Sequence, residues 1–168
     1  MFLKKQFKKP VQLLTAASAA MILSANALAL SVEEGSAIVK PFYDFLSNPT
    51  DAQQADKARQ SFHSDWQSYY DNAGSKSLDQ TIETLSGIGQ LIPDLNWEIK
   101  DIKVAGDTVI VRGEATGTPA GDFFGVPHSG NSFKIMSIDM HTVEDGKVKT
   151  SYHIEDWATA MRQLSQAK

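Results

Sequence analysis

The fold is decided by residues 93–157, which open with a strand-like segment, Pro93-Asp94-Leu95-Asn96-Trp97-Glu98-Ile99. Apolar and polar residues alternate along this segment, which is the period of a half-buried β-strand. A turn at Gly106–Asp107 predicts a hairpin into Val109–Val111, and a second predicted hairpin joins Phe133–Val143 to Lys147–Trp157. This half of the chain therefore predicts an antiparallel sheet.

The residues before this sheet predict three helices, and a short fourth helix follows it. Ser31–Leu46 begins with a serine that can cap a helix and with two glutamates that the helix dipole favours. The other predicted helices are Asp51–Phe62, Leu78–Leu91 and Trp157–Leu164. The third helix carries one apolar stripe, formed by Leu78, Ile82, Leu85, Ile88 and Leu91. Helices followed by strands indicate an α+β fold.

Two further segments carry a resemblance to a known family. They are Phe62-His63-Ser64-Asp65-Trp66 and the loop Gly117-Thr118-Pro119-Ala120-Gly121-Asp122-Phe123-Phe124-Gly125-Val126-Pro127-His128-Ser129-Gly130. With the order of elements, they resemble the SnoaL-like branch of the nuclear transport factor 2-like superfamily, which includes the aromatic polyketide cyclases. The resemblance runs from about Val32 to Leu164 and departs from the family at Pro119, where relatives commonly carry histidine. It implies a cone-shaped nuclear transport factor 2-like fold, with N-terminal helices packed in a curved antiparallel sheet.

The turn of the second hairpin decides whether two titratable residues share a face. If Glu144–Gly146 is a three-residue loop with a bulge, Asp139 and His153 become diagonal neighbours on one face. A two-residue turn at Asp145–Gly146 instead shifts the register by one, which moves His153 to the other face and brings Tyr152 beside Asp139. The family's motif implies the bulge, so a shared face is the prediction.

The resemblance also implies a role for this pair. In the polyketide cyclases the position of Asp139 carries a histidine, and the position of His153 carries the aspartate that serves as general acid/base. The family's later acid matches Asp156, whereas Thr150 and Tyr152 stand where relatives often have Glu and Trp. Burial in an apolar cone raises the pKa of a carboxylate, and a neighbouring imidazole can share its proton.

Asp139 and His153 are therefore the candidate catalytic residues, suited to removing a proton next to a carbonyl in a cyclase or isomerase reaction. Ligand binding without turnover and a purely structural pair remain as alternatives, and so does a dimeric interaction module. The four histidines show no metal-ligand spacing on one element, so neither a metal nor a cofactor is predicted. Arg112 is expected to face Asp101 as a cross-strand ion pair.

Aromatic residues on these elements predict the wall of a pocket. A cavity bounded by aromatic rings prefers a flat, mainly apolar small molecule as its partner. The candidate ligand-binding residues are Phe42, Tyr43, Trp66, Tyr69, Tyr70, Trp97, Phe123, Phe124, Ser137 and His141.

The opposite face of the strand Phe133–Val143 is also apolar and needs a cover. It is formed by Lys134, Met136, Ile138, Met140 and Thr142. Because the helices cover the other face, we expect two copies to pack sheet to sheet as a homodimer.

Residues 1–29 have the pattern of a cleavable export signal. Lysines precede an apolar stretch from Val11 to Ala25, and Ala27-Leu28-Ala29 has the small residues of a cleavage site. The sequence thus predicts a periplasmic or secreted protein, cleaved near Ala29/Leu30, with one domain over residues 30–168. An uncleaved anchor is the alternative, although the apolar stretch is short for a membrane span. Without the four lysines of the signal, 12 basic and 20 acidic residues leave a charge of −8. Such a charge disfavours nucleic acid and anionic membranes as partners.

Overall fold

The computed structural model describes residues 29–167. Apart from Ala29, the predicted export signal lies outside the described residues. The elements in this part of the chain are α1 (Val32–Ser47), α2 (Ala52–Ser61), β1 (Phe62–Tyr69), β2 (Ser75–Ser77), α3 (Leu78–Leu91), β3 (Asn96–Ala105), β4 (Thr108–Gly117), β5 (Phe133–Glu144), β6 (Lys147–Glu155) and α4 (Trp157–Leu164). Within residues 29–167, the helices are too short or too polar to cross a membrane.

The predicted helices are confirmed, and α1 and α3 begin with the same capping arrangement. Ser31 accepts a hydrogen bond from the backbone N–H of Glu34, whose side chain accepts one from the backbone N–H of Ser31. Ser77 and Gln80 repeat this exchange at the start of α3. Each capping box satisfies two backbone donors that the first helical turn would leave unpaired. The apolar stripe of α3 packs against the core as predicted.

The strands form one sheet in the order β2-β1-β6-β5-β4-β3. Neighbouring strands are antiparallel except β1 and β6, which run parallel with Ser68 beside Ser151. The predicted antiparallel arrangement is thus confirmed for β3 to β6, whereas β1 and β2 were missed. These two strands are polar, and only the pairing with β6 brings β1 into the sheet. With its helices, the mixed sheet makes a cone-shaped α+β fold.

The hairpin between β5 and β6 turns differently from the prediction. Asp145 and Gly146 have φ angles of 48° and 73°, which makes a tight two-residue turn, and the predicted three-residue loop is wrong. A bulge at Lys149 adds one residue to β6. It returns the residues that follow, His153 among them, to the face of the sheet that carries Asp139. Asp139 therefore lies directly opposite His153. The prediction that Asp139 and His153 share a face is confirmed. The bulge that brings them together lies inside β6, however, and not in the turn as predicted.

The hairpin between β3 and β4 turns at Gly106–Asp107 as predicted, and Arg112 faces Asp101 across it. The close contact of Asp101 is with Lys103, whose Nζ lies 2.9 Å from a carboxylate oxygen. This hydrogen bond lowers the pKa of the Asp101 carboxyl, and the charge of Arg112 adds a smaller effect. Arg112 lies on the exposed face of β4. The predicted register is therefore confirmed, but the predicted ion pair of Arg112 with Asp101 is wrong, because Lys103 forms the salt bridge with Asp101.

The core lies between α1 and the inner face of the sheet. Along β4 and β5, buried and more exposed residues alternate, so one face of each strand turns inward. Phe45, Trp66 and Phe133 are among the largest fully buried side chains. Burial of each such side chain contributes roughly 1.5–3 kcal/mol. Between this core and α3 the inner face stays partly uncovered, which leaves room for a cavity.

Candidate active site

A cavity of about 480 Å³ lies between helices α1 and α3 and the inner face of the sheet. Pockets for small organic molecules have volumes of roughly 300–1,000 Å³. Much of the wall is apolar, formed by Phe42, Leu46, Leu85, Ile88, Leu95 and Trp97. Two exposed side chains, Tyr70 and Phe124, also line the cavity and mark its mouth. The cavity suits a mainly apolar ligand.

Polar side chains enter the cavity region from one strip of the sheet, where β5 pairs with β6. Residues two apart on a strand point to the same face, so successive cross-strand pairs here all turn inward. The three pairs are Ser137 with Glu155, Asp139 with His153, and His141 with Ser151. We call these six residues the polar strip.

Asp139 is the carboxyl group at the centre of the polar strip, and only 4% of it is exposed. Burial raises the pKa of Asp139 to about 7, and the negative charge of Glu155 acts in the same direction. The positive charge of His153 and hydrogen bonds from the Tyr43 and Ser137 hydroxyls oppose this rise. The carboxyl can therefore both take up and release a proton near neutral pH.

His153 is held at both ring nitrogens. Its Nδ1 lies 2.7 Å from Glu155 Oε1, and its Nε2 lies 2.9 Å from Ser68 Oγ on β1. Burial disfavours the charged ring, but the hydrogen bond and charge of Glu155, together with the charge of Asp139, raise the pKa of His153. As an imidazolium, His153 donates to both partners. Trp157 fixes the same carboxylate, because its Nε1 donates to Glu155 Oε2 at 3.2 Å.

His141 belongs to a buried hydrogen-bond chain that ends at Asp139. The indole of Trp66 can only donate, and it donates to Ser151 Oγ at 2.9 Å, so the Ser151 proton is free to reach His141 Nδ1 at 2.7 Å. Burial lowers the pKa of His141 to about 3, so the ring is neutral, and with Ser151 donating to Nδ1 the ring proton is on Nε2. That nitrogen lies 3.1 Å from the Tyr43 hydroxyl, which hydrogen-bonds Asp139. The chain therefore directs the Tyr43 proton to the carboxyl group.

A second, shorter chain reaches Asp139 from the other side. Trp97 Nε1 donates to Ser137 Oγ at 3.3 Å, and this hydroxyl donates to Asp139 Oδ2 at 3.1 Å. Gly113 on β4 leaves the space for it, because a Cβ there would lie 2.5 Å from Ser137 Oγ and 2.9 Å from Trp97 Nε1. Each chain begins at a tryptophan indole and ends with a hydroxyl proton directed at Asp139.

The structure brings together most of the residues predicted to form the pocket. Asp139 and His153 line the cavity, and so do Phe42, Tyr70, Trp97, Phe124 and His141. Three other predicted residues lie directly behind the wall and hold it in place, namely Tyr43, Trp66 and Ser137. The remaining two do not line the cavity. Phe123 is buried against Phe133 and Trp157, and Tyr69 stacks on the exposed Tyr152.

Sequence reasoning missed Glu155, Ser68 and Lys76, which also line the cavity. Glu155 follows His153 by two residues, so period-two spacing on β6 was a signal that could have found it. The family pattern pointed instead to Asp156, which caps α4 by accepting a hydrogen bond from the Thr159 N–H at 2.9 Å. Ser68 and Lys76 lie on β1 and β2, the strands that were not predicted.

Asp139, His153 and Glu155 could also offer three ligand atoms to a cation. One atom of each lies within 4.8 Å of the others. Both ring nitrogens of His153 already have hydrogen-bond partners, so a metal ion would have to replace Glu155 or Ser68. As arranged in this structure, the three residues form a hydrogen-bonded acid/base group.

An apolar cavity inside an α+β cone, with a buried carboxyl group tuned toward neutral pH, defines a small-molecule-binding fold of the cyclase and isomerase type. The chain belongs to the SnoaL-like polyketide cyclase family, whose model matches residues 39–164. The resemblance read from the sequence is thereby confirmed.

Solved structures similar to this chain share its fold at low sequence identity. A SnoaL-like protein from Jannaschia sp. CCS1 is 22% identical with a TM-score of 0.70, covering 81% of this chain and 94% of its own. TsrD from Streptomyces laurentii is 20% identical with a TM-score of 0.70, over 82% of this chain and 99% of its own. IdmH from Streptomyces antibioticus is 23% identical with a TM-score of 0.69, covering 79% of this chain and 99% of its own. No curated protein matches the sequence.

Proposed function

We propose that the protein is an exported, cofactor-free acid/base enzyme that cyclises or isomerises a small, mainly apolar carbonyl compound, with Asp139 as the base. One observation carries this proposal. Asp139 is a buried carboxyl group on the wall of an apolar cavity, and its pKa of about 7 matches the pH at which it would work. A general base is most effective when its pKa lies near the working pH.

In the proposed reaction, the Asp139 carboxylate removes a proton from the carbon next to a substrate carbonyl, and an enolate forms. The His153 imidazolium, held by Glu155, stabilises the enolate charge. Ser68 accepts a hydrogen bond from His153, so its own proton is available to a ligand oxygen. The enolate carbon then attacks a second carbonyl, or a different carbon of the conjugated system is protonated. Asp139 returns the proton in either case.

A non-catalytic binding module is the second candidate. It is supported by the hydrogen bonding of the polar strip, because its buried side-chain atoms all have partners within residues 29–167. A fully satisfied polar cluster can serve stability and ligand binding without any reaction.

Proton–deuterium exchange separates the two candidates without knowledge of the substrate. 1-Tetralone is a flat, apolar ketone whose exchangeable hydrogens lie next to its carbonyl, and its exchange in D₂O is followed by NMR. We expect the wild-type protein to accelerate exchange and Asp139→Asn to lose about 10²-fold or more of that acceleration. The rate should rise as the pH increases through about 7, because Asp139 must be ionised to act as a base.

Asp56→Asn is the matched control, since Asp56 is an exposed carboxylate on α2 outside the cavity. This variant should exchange 1-tetralone as the wild type does. If 1-tetralone shifts the amide signals of the cavity wall but exchanges at the rate of buffer alone, the enzyme proposal is wrong and the binding module is supported.

The proposal places the protein in the periplasm or outside the cell. Its support is the signal pattern of residues 1–29 together with the position of Leu30 in the fold. The Leu30 N–H donates to the Gly106 carbonyl at 3.3 Å, and the side chain packs against the core, so the residue after the expected cleavage point belongs to the folded domain.

A further inference from the structure

Lys76 on β2 lines the cavity and has no carboxylate within 4 Å among residues 29–167. Lys40, Lys100 and Lys149, by contrast, each form a salt bridge. The side chain of Lys76 is half-buried, and its Nζ lies 3.6 Å from the centroid of the Tyr70 ring. An ammonium group in a mainly apolar cavity wall, with no carboxylate beside it, is a natural partner for the anion of a ligand.

The Tyr70 ring beneath this ammonium group is positioned by the loop between β1 and β2. Asp71 Oδ1 accepts hydrogen bonds from the backbone N–H groups of Ala73 at 2.7 Å and Gly74 at 2.6 Å. The loop packs Gly74 against the Tyr70 hydroxyl, and the ring of Tyr70 lies beneath Lys76. A cation held in place before binding loses little freedom when an anion arrives.

A second, independent feature lies close by in the chain. Thr81, in the first turns of α3, is only 7% exposed and lines the same cavity. Its Oγ1 is buried and has no hydrogen-bond partner within residues 29–167. A buried hydroxyl without a partner is unfavourable, and a rotation of the Thr81 side chain about χ1 would bring it to an oxygen of a ligand bound in the cavity.

The charges around the cavity leave the Lys76 charge uncompensated. Glu155 and the imidazolium of His153 neutralise each other at 2.7 Å. Burial and the charge of Glu155 raise the pKa of Asp139 to about 7, so below that pH this carboxyl is mostly neutral. Lys76 also faces Ser68 across the β1–β2 pair, and its charge disfavours protonation of His153. Below about pH 7 the cavity therefore carries one uncompensated positive charge, that of Lys76, in a protein that is otherwise acidic.

We propose that the ligand of this cavity is a monoanion, a mainly apolar molecule whose single carboxylate is held by the Lys76 ammonium group and the Thr81 hydroxyl. This inference rests on the proposed ligand-binding function of the same cavity. The apolar body of the ligand lies against Leu85, Ile88 and Trp97, and its carboxylate is at the end of the cavity formed by β2 and the start of α3.

The test compares two probes of the same shape, 2-naphthoate and the neutral 2-naphthamide, by titration calorimetry on the protein as purified. We expect the wild type to bind 2-naphthoate about tenfold more tightly or better, the size of one charge-assisted hydrogen bond. Lys76→Met should remove this preference and leave the affinity for 2-naphthamide unchanged, whereas Lys76→Arg should retain it. Lys57→Met, which removes an exposed charge from α2, should keep the wild-type preference.

Thr81→Val tests the hydroxyl. We expect it to weaken 2-naphthoate binding about threefold or more without lowering the melting temperature of the free protein, because the lost hydroxyl has no partner there. Thr84→Val is the matched control. Thr84 lines the same cavity, but its Oγ1 already donates to the Gln80 carbonyl at 2.8 Å, so the ratio of the two probe affinities should stay as in the wild type.

Equal affinities of the two probes for the wild-type protein would overturn the inference, as would a preference that survives Lys76→Met. Both results show that Lys76 does not hold a ligand anion, and the proposed function stands. If neither probe binds and the amide signals of the cavity wall do not move, the proposed ligand-binding function fails, and this inference fails with it.

Discussion

Asp139 links the protonation of the site to the stability of the whole chain. The pKa of this carboxyl rises from 3.8 to about 7 on folding, mainly because burial disfavours its charged form. Between these two pH values the folded state binds more protons than the unfolded state, so the free energy of unfolding falls as the pH rises through that window. Below it both states are protonated, and the effect disappears.

Asp139→Asn removes this linkage, because the amide stays neutral at every pH. We expect the variant to be more stable than the wild type at pH 8, by about 2–4 kcal/mol, and the gain to vanish near pH 4. Urea unfolding across this range measures the difference. Asp56→Asn, at an exposed site, should show no such trend. A gain for Asp139→Asn that is constant with pH would show that Asp139 ionises normally in the folded protein.

At the scale of the elements, the close packing of β4 against β5 positions the Asp139 carboxyl group. Gly113→Ala would place a methyl group 2.5 Å from Ser137 Oγ and 2.9 Å from Trp97 Nε1. We expect it to lower the free energy of unfolding by about 1–3 kcal/mol and to separate Trp97 from Ser137. Thermal unfolding and the indole N–H signal of Trp97 in NMR spectra measure the two effects.

Gly87→Ala on α3 provides the control for this change. A Cβ at Gly87 meets nothing within 4 Å, so the added methyl group should raise helix stability by up to about 1 kcal/mol. If Gly113→Ala proves as harmless as Gly87→Ala, the Trp97–Ser137 contact is not as tight as the structure indicates.

The elements that the sequence predicts well are those with local signals. Capping serines and apolar stripes indicate α1 and α3, and the alternation of apolar and polar residues indicates β3. The turn at Asp145–Gly146 also has a local signal, but the bulge at Lys149 does not, because it depends on how β6 meets β1 as well as β5. The shared face of the polar strip could therefore be predicted only through the family resemblance.

The site residues that the sequence did not predict were missed for a similar reason. Ser68 and Lys76 lie on strands whose sequences are polar, and the parallel pairing of β1 with β6 joins distant parts of the chain. Such pairing leaves no periodic signal in the sequence. Glu155 had a local signal, because it follows His153 by two residues on the same strand. The family pattern indicated Asp156 instead.

At the scale of the whole molecule, the outer face of the sheet carries large apolar side chains that are exposed. Met136, Met140, Tyr152 and Ile154 are between 45% and 69% exposed. They are adjacent, since Met140 pairs with Tyr152 and Ile138 with Ile154. Monomeric proteins rarely expose apolar patches of this kind. We propose that a second copy of the chain covers this face.

Light scattering with gel filtration tests this proposal. We expect the wild type to have the mass of a dimer and Met140→Glu to shift it to the monomer, because a buried, unpaired carboxylate strongly opposes association. Gln60→Glu adds the same charge to an exposed position on α2 and should leave the dimer intact. A wild-type protein that runs as a monomer at all concentrations tested would contradict the proposal.

All three tryptophans of the chain hydrogen-bond into the polar strip, Trp66 to Ser151, Trp97 to Ser137 and Trp157 to Glu155. Indole fluorescence responds to nearby charge. The emission maximum or the intensity of the intrinsic fluorescence should therefore change as Asp139 ionises near pH 7. The residues that orient the carboxyl group thus also serve as a built-in optical probe. Ionisation and ligand entry could both be followed by fluorescence in the unlabelled wild-type protein, before any substrate has been identified.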